Sequence, residues 1–139
     1  KFGKKEGKII LRRSMISEID FDNKYSKTMA YVISHRYEID RKTEIPINCE
    51  DTGNWQKSFL EQVKNRTDFL TSVKVNGSFY SGFVKETDED FFMLHCIGTD
   101  GEDKGNIIFR IEDVTEFSFD DREDRKTLML YQWKSKNNK

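Results

Sequence analysis

The sequence predicts a mainly β, α+β protein. A short helix leads into a five-stranded, strongly bent small barrel, and an additional β-hairpin region N-terminal to the helix packs on it. Three observations carry this expectation. Asn76-Gly77 stands among the β-formers Val73, Val75 and Phe79, and both turn residues tolerate the positive φ of a tight hairpin. Gly82 falls inside the next strand, where glycine marks a bend or a close approach of another backbone. Trp55, Phe59, Leu60 and Val63 recur at helical spacing behind the N-cap candidates Asp51, Thr52 and Asn54.

Taken in order, residues 1–8 are rich in Lys and Gly and are expected to fray. Ile9–Leu11 is a short apolar run. Met15, Ile16, Ile19 and Phe21 follow at mixed spacing, which leaves strand and helix open, with a bulged strand preferred. Met29, Tyr31, Ile33, His35, Tyr37 and Ile39 share one parity, with Ser34, Arg36, Glu38 and Asp40 on the other. That alternation predicts a strand with one wet face. Asp40–Thr43 reads as a turn and Ile45, Ile47 and Cys49 as the second arm of a long hairpin. Pro46 lacks an amide donor and belongs at an edge.

The helix runs from about Trp55 to Arg66, with Trp55 as a core anchor. A three-strand meander follows. Asp88-Glu89-Asp90 is its second turn, and the apolar run Phe91–Ile97 suits a strand buried on both faces. Gly98–Gly105 is an exposed acidic loop. Ile107, Phe109 and Ile111 alternate with Ile108, Arg110 and Glu112 as a fourth strand, and Val114, Phe117 and Phe119 mark a fifth. Asp120–Lys126 reads as a charged turn. Thr127–Trp133, apolar on both parities, reads as a last strand pairing with the N-terminal hairpin. The expected division is a β-rich region over 1–50 and a helix, barrel and C-terminal strand over 51–139.

With 139 residues, folding buries roughly two thirds of the unfolded chain's surface, enough for a core without staples. Cys49 and Cys96 read as reduced, mostly buried thiols of a cytoplasmic protein, with a single disulfide between the halves as the alternative. With His35 and His95 they show no zinc spacing. The Gly98–Gly105 loop lacks the ordered carboxylates of a calcium loop, so neither metal nor cofactor is expected. No run approaches the roughly 20 apolar residues of a membrane span. No nucleophile elbow, metal set or cofactor fingerprint points to an enzyme.

Charge is distributed unevenly. Residues 1–50 carry eleven Lys/Arg against eight Asp/Glu, whereas residues 71–126 carry seven against fourteen. Cations supply most of the affinity for phosphate backbones, so an acidic barrel disfavours nucleic acid and suits a basic protein partner.

Gly77 and Gly82, then Asp88 six residues on and an apolar strand, resemble the first motif of Sm-like proteins, including the Hfq-like branch, whose small barrel is SH3-like. A helix before the first strand and a shorter motif at Asn106–Thr115 agree, so the resemblance covers about residues 54–119. It implies a barrel with exposed edges that associates with copies of itself, or binds RNA. The family's RNA-contacting Asn falls here on Phe92, and its late Lys-His pair on the run Ile108-Phe109-Arg110-Ile111, so the RNA-contacting residues are missing.

The expected function is therefore a non-enzymatic Sm-like interaction module acting through protein–protein contacts, with self-association as one route. An Hfq-like RNA binder and an acidic inhibitor or immunity-type protein are the alternatives. Candidate binding residues are Phe79, Tyr80, Asp88, Phe91, Phe92 and Arg110. The aromatics offer stacking faces, each with a core role as its plainer reading, and Asp88 and Arg110 stand at the family's motif positions.

Overall fold

The computed structural model describes residues 24–40, 45–48 and 53–137. The expectations for residues 1–23, for the turn at 41–43 and for Cys49 lie outside the described residues. The chain divides into two compact units between Arg41 and Lys42.

The described part of the first unit is helical, with α1 at Lys24–Ser34 and α2 at Arg36–Asp40. This overturns the strand expected over residues 29–39 and the hairpin built on it. A strand needs a ladder partner, whereas a helix closes its hydrogen bonds locally, as His35 N–H does to Tyr31 O at 3.1 Å. Val32 and Ile39, seven residues and thus about two helical turns apart, are the buried pair. Ile33 and Tyr37, which the alternation assigned to the covered face, stay exposed. His35 is half-buried at the α1–α2 junction, its ring stacked on Tyr31 with centroids 4.0 Å apart.

In the second unit Ile45 and Ile47 point into the core while Pro46 is exposed, so their alternation holds without a ladder. The Gln62 side chain takes a strand's place. It accepts from Asn48 N–H at 2.8 Å and donates to Asn48 O at 2.7 Å. Gln62 belongs to α3 (Trp55–Val63), whose Phe59, Leu60 and Val63 are buried. Trp55 is not the anchor expected of it. It lies at the helix start, 42% exposed, edge-on to Phe117.

Five antiparallel strands follow: β1 (Thr71–Val75), β2 (Ser78–Thr87), β3 (Phe91–Ile97), β4 (Asp103–Arg110) and β5 (Val114–Phe119). Asn76 and Gly77 both take positive φ between β1 and β2, as the hairpin signal requires. At Gly82 the backbones of β2 and β3 approach closely, and an extra residue follows in β2 between Val84 and Glu86. The lateral order is β4-β3-β2-β1-β5, and among the described residues no pairing joins β4 to β5, so the ladder is open rather than a closed barrel. Only a single 3₁₀ turn, Ile111–Asp113, links these two edge strands. Four Cα steps reach at most about 14 Å, whereas a flat sheet would set its first and fifth strands about 19 Å apart. The sheet is therefore curled, and its two edge strands come within about 14 Å of each other at this corner.

One face of the sheet carries the main core. Val73, Val75, Val84, Phe92, Leu94, Cys96, Ile111 and Val114 pack there with α3. The other face is partly covered by α4 (Arg122–Asn137), whose Leu128 and Tyr131 pack on Leu70, Phe83 and Ile97. This helix replaces the strand expected at Thr127–Trp133 and the charged turn expected before it. Its start is marked by Asp121, which accepts Asp124 N–H at 2.7 Å, and by Glu123 and Asp124 in the first turn; Lys134 and Lys136 close it. The Gly98–Gly105 loop is not wholly exposed. Gly101 is buried, with φ +83°, in a position where a Cβ would stand 2.6 Å from the Leu130 and Tyr131 backbone. Strand β3, expected to be buried on both faces, is buried along one. On the other, cover reaches Ile97 but leaves Phe91 exposed.

Candidate functional site

The uncovered half of the sheet brings several short-range features together. The Asp88 carboxylate accepts from the backbone N–H groups of Asp90 and Phe91, both at 2.8 Å, and so builds the β2–β3 turn. Those amides, Phe91 first, hold the Asp88 carboxyl below its ordinary value. Asp90 O in turn accepts Ile111 N–H at 2.8 Å, tying this turn to the β4–β5 junction.

Two concavities flank that tie, and Phe91 lines both. The larger, about 510 Å³, lies between the start of α3 (Asn54, Gln56, Lys57), the turn residues Glu89 and Asp90, and Arg110 with Glu112. The smaller, about 260 Å³, lies on the outer face between Asp88, Phe91, Met93 and Ile108. Phe91 is 42% exposed and Ile108 63%. Met93 and Ile108 are register partners in β3 and β4, so they form one apolar step beside the open β4 edge.

The cations of the larger cleft are already engaged. Lys57 pairs with Glu89. Arg110 donates to Glu112 at 3.0 Å and stands 5.9 Å from the Phe91 ring centroid, and Glu112 raises its affinity for its proton. Glu89 and Glu112 are thereby matched, leaving Asp90 as the excess negative charge of this lining, while Asp88 lines the smaller concavity. The lining offers charge, amides and an aromatic face, chemistry that suits binding. Among the described residues no group of His, Cys, Asp and Glu is placed to hold a metal ion.

Of the six residues singled out from sequence, Asp88, Phe91 and Arg110 meet here. Phe92 lines the floor of the smaller concavity but is 1% exposed and is a core residue, since its side chain points to the α3 face. Phe79 is exposed at the opposite end of β2, beneath the Lys74 ammonium at 5.3 Å. Tyr80 is half-buried against Phe109, with centroids 5.0 Å apart. Lys57, Glu89, Met93 and Ile108 were missed. Ile108 carried a readable signal, an isoleucine on the parity shared with Arg110 and Glu112. No family model, curated protein or solved structure matches the chain.

Proposed function

We propose that the chain is a non-enzymatic, Sm-like interaction module that works through protein–protein contacts and self-associates along its open sheet edges. The single observation that carries this reading is the β4 edge. It is unpaired among the described residues and carries Ile108, 63% exposed, next to Met93 and Phe91. Unpaired edges present a row of free backbone groups, and an adjoining apolar patch adds burial to ladder pairing. The β5 edge is different, because Gln56 of α3 donates to Val114 O at 3.3 Å and shields its first residue. The Sm-like part of the reading is supported by the helix before β1, the β4-β3-β2-β1-β5 order, the glycine approach in β2 and the one-turn link between β4 and β5.

A basic partner protein is the second reading, favoured by the excess carboxylates of Asp90 in the larger cleft and Asp88 in the smaller. The same charge opposes a phosphate backbone, and the buried Phe92 occupies the position of the family's RNA-contacting Asn. Light scattering on the eluting protein tests the main reading. Concentration-dependent association that is abolished by Ile108→Arg with an unchanged circular dichroism spectrum is the expected result. A wild-type monomer at the highest attainable concentration overturns it.

A further inference from the structure

On the sheet face opposite the main core, a buried carboxylate meets two hydroxyls. Ser72 of β1 and Ser81 of β2 are register partners, and their Oγ atoms lie 2.6 Å apart. Asp124, in the first turn of α4, places Oδ1 2.9 Å from Ser72 Oγ and 3.3 Å from Ser81 Oγ. Its residue is 4% exposed, and its Oδ2 has no hydrogen-bond partner.

Proton counting shows what this cluster lacks. Three oxygens make three contacts, and each contact needs one proton. The two serines supply two. When Ser72 donates to Asp124 and Ser81 donates to Ser72, the Ser81–Asp124 contact is left as two lone pairs facing each other. A proton on the carboxyl completes the ring. We infer that α4 is a proton-latched cover, whose first turn seats more firmly when the Asp124–Ser72–Ser81 cluster takes up one proton and lifts more readily when it gives that proton up.

The surroundings point the same way. The groups facing Asp124 from β1 and β2 are the two hydroxyls, and the β5 residue in register with Ser72 is the uncharged Ser118. On α4 and its cap, Asp121 adds a like charge. Arg122 and Lys126 pair with Glu123, and Arg125 with Asp120. Burial first, and then Asp121, push the Asp124 carboxyl up to about 6. The rest of the seat is Leu128 and Tyr131 on Phe83 and Ile97, the Leu130 backbone against Gly101, Lys134 paired with Glu102 at 3.0 Å, and His95, which lines a cleft with Leu128 and Tyr131 and pairs with Asp103 at 2.9 Å.

Lifting α4 uncovers Leu70, Phe83 and Ile97, which share the sheet face of Met93 and Ile108. The proton therefore sets how much apolar surface the sheet presents. That consequence rests on the interaction reading above, whereas the linkage itself does not.

Amide hydrogen exchange on the full chain, corrected for intrinsic rates, tests the linkage. Between a docked value of about 6 and the ordinary 3.8, the α4 opening constant is expected to be about tenfold smaller at pH 5 than at pH 7.5. Asp124→Asn should flatten this response. An α4 opening constant independent of pH in the wild type, or one that still varies in Asp124→Asn, overturns the proposal. Should Asp124→Asn fail to fold, the side-chain carboxyl carbon of Asp124 in the wild type, followed by NMR, decides. A midpoint near 6 supports the latch, and one in the ordinary range of about 4 overturns it.

Discussion

A β-carbon on Gly82 would stand 2.0 Å from the carbonyl oxygen of His95, inside any tolerable contact. The obstacle is backbone of the neighbouring strand, which cannot swing aside as a side chain can. Gly82→Ala is therefore expected to cost roughly 2–3 kcal/mol, read as a lowered urea midpoint with an unchanged slope. A midpoint within error of the wild type would show that β2 and β3 part easily here.

Phe91 and Phe92 are chain neighbours with opposite surroundings, one 42% and the other 1% exposed. Phe92→Ala empties a core position in contact with Phe109 and Phe117 and should cost about 3–5 kcal/mol. Phe91→Ala should change stability by less than about 1 kcal/mol and instead weaken association. Urea denaturation and light scattering on both variants separate the two effects.

Gly101 combines φ +83° with contact against the Leu130 and Tyr131 backbone. Gly101→Ala should cost about 2 kcal/mol or more, since strain and overlap add. The loss should concentrate in α4. Its amides are expected to exchange faster while those of β1–β3 keep their protection, a pattern that a general loss of stability would not give.

The acid limb of stability has a sign of its own. Arg66 holds the Asp68 carboxyl below its ordinary value, the Phe91 and Asp90 amides do so for Asp88, and the Gly105 amide does so for Asp103. Such groups stabilise the fold above the ordinary carboxylate value of about 4, and that stability is lost as pH falls from there through their lowered folded values. Asp124 acts oppositely: its contribution is complete below its ordinary value and is lost as pH rises through about 6. Stability measured by urea midpoints should peak between these limits. Asp124→Asn should raise the neutral side and leave the acid side in place.

Cys96 is buried, and burial pushes its thiol above the ordinary value. In a Cys49→Ser background, a thiol reagent should modify Cys96 at the rate at which the core opens, accelerating steeply with urea. Fast modification in native buffer would place the thiol within reach of solvent.

Features encoded over a few residues were legible in the sequence. The Asn76-Gly77 turn, the close approach at Gly82, helix α3 and the five strands of the sheet follow from local conformational preference and from apolar spacing. Where the pattern was ambiguous, reading it as strand failed. The alternation at Met29–Ile39 and the doubly apolar run Thr127–Trp133 both became helix. In the second case Asp121 as cap, acidic residues in the first turn and lysines in the last were present and outweigh a short-range parity.

The sequence by itself determined the strand-forming segments, their order along the chain, the turn at Asn76-Gly77 and the excess of carboxylates in the sheet unit. Tertiary structure alone decided that α4 covers only half of the outer face, which leaves Phe91, Met93 and Ile108 open, and that Ser72, Ser81 and Asp124 share one buried cluster. Asp124 lies 52 residues from Ser72 along the chain. Spacing within one element records which side a residue faces, but which other element arrives there depends on how the curled sheet and its helices exclude water together.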